Sequence, residues 1–235
     1  MASTLLFLIG GTQDDILDTV ADEFVAAAGG RDATTALLMI GGQGWERYLP
    51  RYLQPWEKRG ATKYHLIVPR HDGFLDLPAA TSDLRAASGI FIAGGQTSRY
   101  HQLYASEPIR SVIRQRCSDG VPFAGLSAGA LLAPDVCLLR ATPNTPNQAL
   151  EVVEGLGLVS DLIVEVHFTE GPGTLPTLLD GMSRTKTRRG LGIGESACAV
   201  LDNGRLRRVV GSGVYEVTMT DFEAQRYEMT EVAPG

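Results

Sequence analysis

Cysteine is scarce: Cys117, Cys137 and Cys198 are the three in 235 residues, far apart and without a C-x-x-C pair. That excludes a disulfide framework, offers no zinc-ligand spacing, and suits small core residues in a reducing compartment. Positive charge is not in excess either, with 21 Lys and Arg against 27 Asp and Glu and a net charge of -6. The basic residues are scattered apart from 184-RTKTRR-189, which reads as a solvated loop, so nucleic acid is not an expected partner. Long hydrophobic runs are missing too. The apolar part of 5-LLFLIGG-11 is about five residues long and has no basic flank, which is too short for a signal peptide or a membrane span. It reads as a buried first strand of a cytoplasmic protein with no membrane partner. Neither a G-x-G-x-x-G nor a Walker motif occurs, which lowers a nucleotide reading. With no linker, low-complexity segment or internal repeat, residues 1–235 are expected to form a single α/β domain.

What is present begins with short apolar runs that end in glycine or turn residues: 5-LLFLIGG-11, 36-ALLMIGG-42, 65-HLIVP-69, 89-GIFIAGG-95 and 121-VPFAGL-126. Continuous apolarity in runs this short predicts strands covered on both faces, as in a parallel sheet. Between them, Ile16, Val20, Phe24 and Ala27 fall on one side of a helix, and an aromatic stripe from Trp45 through Tyr48 and Tyr52 to Trp56 has helical spacing and reads as core. The alternation predicts a doubly wound, mostly parallel sheet flanked by helices, with ligands at the carboxyl ends of its strands. The last third differs. Two β-like runs around Asp202-Asn203-Gly204 predict a hairpin, and 213-GVYEVTMT-220 alternates like a further strand.

A lone hydroxyl stands between two glycines in 125-GLSAG-129, which fits G-x-S-x-G. In that motif the serine occupies a tight strand-to-helix turn; the alternative is a serine that merely caps the helix. A nucleophilic serine needs a base. Of the four histidines, His65 sits inside an apolar strand, and His71 and His101 lie in polar surroundings, whereas His167 follows 162-LIVEV-166 at the end of a candidate strand. His167 is the best-placed base. The base needs an acceptor to fix its tautomer. Glu195, among glycines in 190-GLGIGESACAV-200, is one candidate, beside Glu165, Glu170 and Asp135. An ordinary α/β-hydrolase would place its histidine late, after several more strands, and too little chain separates Ser127 from His167 for that. The turn 93-AGGQTSRY-100 could supply backbone N–H groups to an oxyanion.

Four segments together resemble the serine peptidase family of aspartyl dipeptidase (peptidase E) and cyanophycinase, peptidase S51. They are 93-AGGQTSRY-100, 125-GLSAGA-130, 166-VHFTEG-171 and 192-GIGES-196, and 9-IGGTQDDILDTVADEFVAAAGG-30 and 211-GSGVYEV-217 extend the likeness over nearly the whole chain. The resemblance implies a fold like the class I glutamine amidotransferases, with Ser127 as nucleophile, His167 as base, Glu195 as orienting acid, and oxyanion-hole N–H groups from Gly95 and Ala128. Serine at the elbow departs from the cysteine of the amidotransferases and disfavours ammonia transfer. Substrate contacts fall to Gln96 and Arg99, although the aspartyl dipeptidase turn has asparagine where Gln96 stands. The arginines that cyanophycinases carry after the His-Phe segment are absent from 169-TEGPGTLPTLL-179. The expected activity is hydrolysis of small peptides through an acyl-enzyme, with no metal or organic cofactor. The alternatives are an ester or isopeptide hydrolase using the same site and a catalytically silent binding module. Homodimerisation through exposed aromatic surface is a general prior for such enzymes.

Overall fold

The structure, a computed structural model, describes residues 3–139, 150–168 and 174–235. The five apolar runs become strands β1 (Leu5–Ile9), β2 (Thr34–Leu38), β3 (Lys63–Ile67), β4 (Gly89–Ile92) and β5 (Phe123–Leu126). Downstream follow β6 (Val136–Leu139), β7 (Glu151–Glu154), β8 (Ile163–Val166), β9 (Arg189–Ile193), β10 (Ala197–Asp202), β11 (Arg205–Gly211), β12 (Val214–Asp221) and β13 (Arg226–Val232). Helices α1 (Ile16–Ala27), α2 (Leu49–Glu57), α3 (Leu77–Ala86), α4 (Thr97–Tyr104), α5 (Ile109–Ser118), α6 (Ala128–Leu132) and α7 (Thr174–Thr185) alternate with them.

The principal sheet has the order β11-β10-β1-β5-β4-β2-β3. Its strands β1, β5, β4, β2 and β3 are parallel, and β10 and β11 join antiparallel beside β1. The chain leaves β2 for the sheet edge at β3 and returns to β4 on the other side of β2. A crevice therefore opens between the carboxyl ends of β2 and β4, where this architecture places ligands. Leu6 to Ile9 of β1 and Ile90 to Ile92 of β4 are buried, as continuous apolar runs require. Phe24 of α1, Tyr52 and Trp56 of α2, and Phe7 and Phe91 of the sheet form one ring cluster with centroids 5.4–6.2 Å apart. Each such buried ring contributes roughly 1.5–3 kcal/mol through burial. All three cysteines are free and buried.

The predicted hairpin is β10–β11, turned by Asn203 and Gly204, both at positive φ as a primed two-residue turn requires. It extends the principal sheet. β12, by contrast, enters a second sheet of order β13-β12-β9-β8. That sheet packs with α7 around Leu138, Ile163, Leu178, Met182, Val217 and Met219. β8, the strand that carries His167, thus belongs to the second sheet, with β9 as its parallel neighbour. Its residues are buried throughout, as in a central strand, so apolarity alone could not assign it to a sheet. The segment 184-RTKTRR-189 differs from the expected solvated loop: it spans the end of α7 and the start of β9, and Lys186 and Arg188 lie 5.2 and 5.5 Å from the Phe222 ring centroid.

Candidate active site

Ser127 sits where β5 turns abruptly into α6, with φ 50° and ψ -105°, a strained conformation for a residue with a Cβ. The surroundings over-determine it. Its N–H donates to the Ile9 carbonyl at 2.8 Å, and its carbonyl accepts from the Ala130 and Leu131 N–H groups at 3.0 Å each. The flanking glycines are needed for close approach. A Cβ on Gly125 would lie 2.4 Å from the Gly129 carbonyl, and one on Gly129 would lie 2.3 Å from the Ile92 carbonyl oxygen. Helix and strand could not meet at this angle with any larger residue. Ser127 occupies the N-cap position of α6, yet its side chain makes no capping bond.

The hydroxyl is turned to His167 instead. Ser127 Oγ lies 2.8 Å from His167 Nε2, and His167 Nδ1 is in turn bonded to Glu195 Oε1. A carboxylate only accepts, so Nδ1 carries the ring proton and Nε2 is left as acceptor for the serine hydroxyl. His167 leaves β8 with φ 54°, which turns its ring from the strand toward β5. Glu195 lies in the short connection between β9 of the second sheet and β10 of the first. Ser127 thus comes from one sheet, His167 from the other, and Glu195 from the seam between them. The acid is the more sheltered partner: its side chain is 18% exposed against 43% for His167. Gly11 closes over it, since a Cβ there would lie 1.6 Å from Glu195 Oε2.

The sequence profile of peptidase family S51 matches residues 6–209 of the chain. The protein belongs to family S51. It is a serine-type peptidase. Among its relatives, cyanophycinase from Geminocystis herdmanii is 29% identical over 226 residues, 94% of this chain and 82% of that one. Cyanophycinase from Trichormus variabilis is 28% identical over 222 residues, covering 93% and 74% of the two chains. Among solved structures, a peptidase from an acI-B1 actinobacterium aligns with a TM-score of 0.70 at 18% identity, over 100% of this chain and 95% of its own. A Listeria monocytogenes protein assigned to peptidase E gives 0.65 at 17% identity, over 90% and 100%. At these identities the two structures bear on the fold.

In this S51 peptidase, Ser127, His167 and Glu195 open onto a cleft of about 530 Å³ at the carboxyl ends of β1, β2, β4 and β5. Gly94 and Gly95 of the predicted turn line it, and Gly94 abuts Ser127, for a Cβ there would be 3.3 Å from Ser127 Cβ. Tyr100 supports the turn by donating to the Gly94 carbonyl at 3.2 Å; burial pushes this phenol well above its ordinary pKa and keeps it a neutral donor. Ala128 follows the serine as the buried first residue of α6. Gln96 and Arg99 are placed otherwise than as cleft residues. Gln96 is the exposed residue before α4, and the Arg99 guanidinium donates to the Gly73 carbonyl at 3.0 Å; neither is among the cleft-lining residues.

The remaining titratable candidates lie away from the cleft. His65 Nδ1 is 3.3 Å from Asp83 Oδ1, and His101 Nε2 donates to the Glu154 carbonyl at 2.8 Å. His71 is exposed in a turn, Glu165 is buried within β8, Asp135 is exposed after α6, and Glu170 lies outside the described residues. The sequence marks 43-QGWERYLPRYLQPW-56 as a candidate substrate-reading stretch without placing it; the structure sets its Gln43, Trp45, Arg47, Tyr48 and Arg51 in the cleft wall. The aromatic stripe divides there: Trp56 is core, Trp45 and Tyr48 line the cleft, and the buried Tyr52 stands between the two. The signal was Gly41-Gly42-Gln43-Gly44, three glycines at positive φ that release the chain from β2 before the helix begins.

Proposed function

We propose that the protein hydrolyses short peptides through a Ser127–His167–Glu195 acyl-enzyme mechanism. Ser127 Oγ attacks the scissile carbonyl carbon while His167 Nε2 takes its proton. Glu195 holds the imidazole in the required tautomer and stabilises the imidazolium. The Gly95 and Ala128 N–H groups donate to the oxyanion; among the described residues neither takes part in a turn or cap hydrogen bond. The imidazolium then protonates the leaving amine, and water, deprotonated by the same nitrogen, releases the acid. The observation that carries this reading is the uncapped serine hydroxyl 2.8 Å from a histidine whose other nitrogen is held by a carboxylate. The cleft volume lies within the ordinary range for small ligands, which favours peptides of two or three residues over folded protein.

The test is labelling with a fluorophosphonate, read by intact mass and peptide mapping, on the wild type, Ser127→Ala and His167→Ala, followed by a dipeptide panel. A single adduct on Ser127 that requires His167, with peptide turnover lost in both variants, is expected. Peptide turnover that survives Ser127→Ala would sink the mechanism.

A further inference from the structure

We propose that Tyr100 is a positioning residue for the oxyanion hole: by holding the Gly94 carbonyl, its hydroxyl fixes the Gly94–Gly95 peptide so that the Gly95 N–H faces the tetrahedral intermediate. The role rests on the acyl-enzyme mechanism proposed above, in which Gly95 and Ala128 supply the two donors. In a trans peptide the C=O and the N–H that follows it point in opposite directions, so whatever holds the carbonyl also aims the N–H. The two donors are aimed by different means. Ahead of the Ala128 N–H, the Ser127 carbonyl is fixed by the Ala130 and Leu131 N–H groups at 3.0 Å each, and the backbone of α6 suffices. Ahead of the Gly95 N–H, the Gly94 carbonyl accepts from a side chain, the Tyr100 hydroxyl at 3.2 Å.

The clamp answers a local need. Gly95 has φ 150°, a conformation that glycine takes without strain, and two glycines in succession leave the peptide plane between them with no side chain to fix it. Tyr100 meets this plane at both ends: its hydroxyl bonds Gly94, and its Cε2 would lie 3.2 Å from a Cβ on Gly95. The tyrosine is itself anchored. It is 1% exposed, and its N–H donates to the Gln96 carbonyl at 3.1 Å in the first turn of α4. Its ring centroid lies 6.0 Å from that of Tyr104, whose hydroxyl donates to the Met39 and Ile67 carbonyls at 2.6 and 3.0 Å. Burial, with Tyr52 and Tyr104 alongside, pushes the Tyr100 phenol well up, so the clamp keeps its proton through the neutral pH range.

The test is the rate of Ser127 phosphonylation by a fluorophosphonate, resolved into kinact and KI and followed across pH. The full chain is used as wild type, Tyr100→Phe, Tyr104→Phe and His167→Ala, each at a temperature at which melting shows it folded. Tyr104→Phe is the matched control, since it removes a neighbouring buried hydroxyl with two acceptors and leaves the bonds of the glycine turn in place. Loss of a whole oxyanion donor costs about 10² to 10³ in rate, so misaiming one through Tyr100→Phe should lower kinact by at least about tenfold, with KI and the pH midpoint unchanged. Tyr104→Phe should lose at least as much stability and keep the kinact of the wild type. Placing para-fluorophenylalanine at position 100 fills the space of the hydroxyl without a proton to donate and should lower kinact as Tyr100→Phe does, which keeps the test open if phenylalanine melts too low. A smaller fall in kinact, an equal fall in Tyr104→Phe, or a shifted pH midpoint, which would put the effect on His167, overturns the positioning role. Failure of the peptidase reading is separate: the wild type would take no label, or His167→Ala would take it as fast as the wild type, and the positioning role falls with it.

Discussion

Gly11→Ala perturbs Glu195, the orienting acid of the proposed mechanism, and leaves the residue itself in place. Gly11 has no positive φ, so alanine suits its backbone, and the effect comes from contact alone. The new Cβ would lie 1.6 Å from Glu195 Oε2, 2.5 Å from its Cδ and 2.8 Å from its Cα. Restoring van der Waals separation requires the carboxylate to retreat by roughly 1.5–2 Å, which carries Oε1 beyond hydrogen-bond reach of His167 Nδ1. In serine peptidases, loss of the orienting acid costs about 10⁴ in kcat, roughly 5.5 kcal/mol of barrier, and that sets the ceiling. Gly11→Ala should lower the rate of Ser127 labelling by about 10² to 10⁴, because the displaced acid still contributes some field at the imidazole. The fold should lose little more, since most of the clash falls on the far end of a side chain. An overpacking cost of about 1–2 kcal/mol corresponds to a fall in Tm of roughly 2–8 °C. In a Glu195→Ala background, Gly11→Ala should be silent in the labelling assay, since its effect runs through the missing carboxylate. Labelling within twofold of wild type in the single variant, or a further tenfold loss in the Glu195→Ala background, would refute the reasoning.

Gly129→Ala drives a Cβ to 2.3 Å from the Ile92 carbonyl oxygen, a backbone atom that cannot swing away, so both stability and labelling should fall, with a loss of at least about 2–3 kcal/mol in denaturant melts. Tyr100→Phe removes the hydroxyl that donates to the Gly94 carbonyl and should cost about 1 kcal/mol while loosening the turn beside Ser127, measured as a lower midpoint in urea. Burial pushes the Cys117 and Cys137 thiols up to about 12 and Cys198 higher still, so all three are neutral at pH 8; a thiol reagent at that pH should titrate none in the native protein and three after unfolding.

The strands of the parallel sheet were legible because short apolar runs bounded by glycine have few other uses, and the Asn203-Gly204 hairpin because its turn chemistry is specific. Ser127, His167 and Glu195 were legible for a related reason: each ends or leaves a buried strand, where an isolated polar residue needs a purpose. Two features stayed hidden. The sheet to which β8 belongs is set by long-range pairing with β9, which no local pattern encodes. Arg47, in the 3-10 turn Trp45–Tyr48, and Arg51, on α2, are both exposed on the segment that buries Trp56, so their spacing matches that of any solvated helix face. Arg99 shows the converse, since a position one turn beyond a glycine turn suggested the cleft while the helix carries its side chain to Gly73.

The division of the site between two sheets has a consequence for the birth of the enzyme. Synthesis proceeds from the N-terminus, and the base lies 40 residues after the serine and the acid a further 28 after the base. A nascent chain that has emerged through β5 holds a serine without a proton acceptor, and β1 still lacks β10, its antiparallel partner. On the proposed mechanism, a chain that stops before Glu195 lacks the acid and leaves β1 without β10, so it is expected to give no labelling of Ser127.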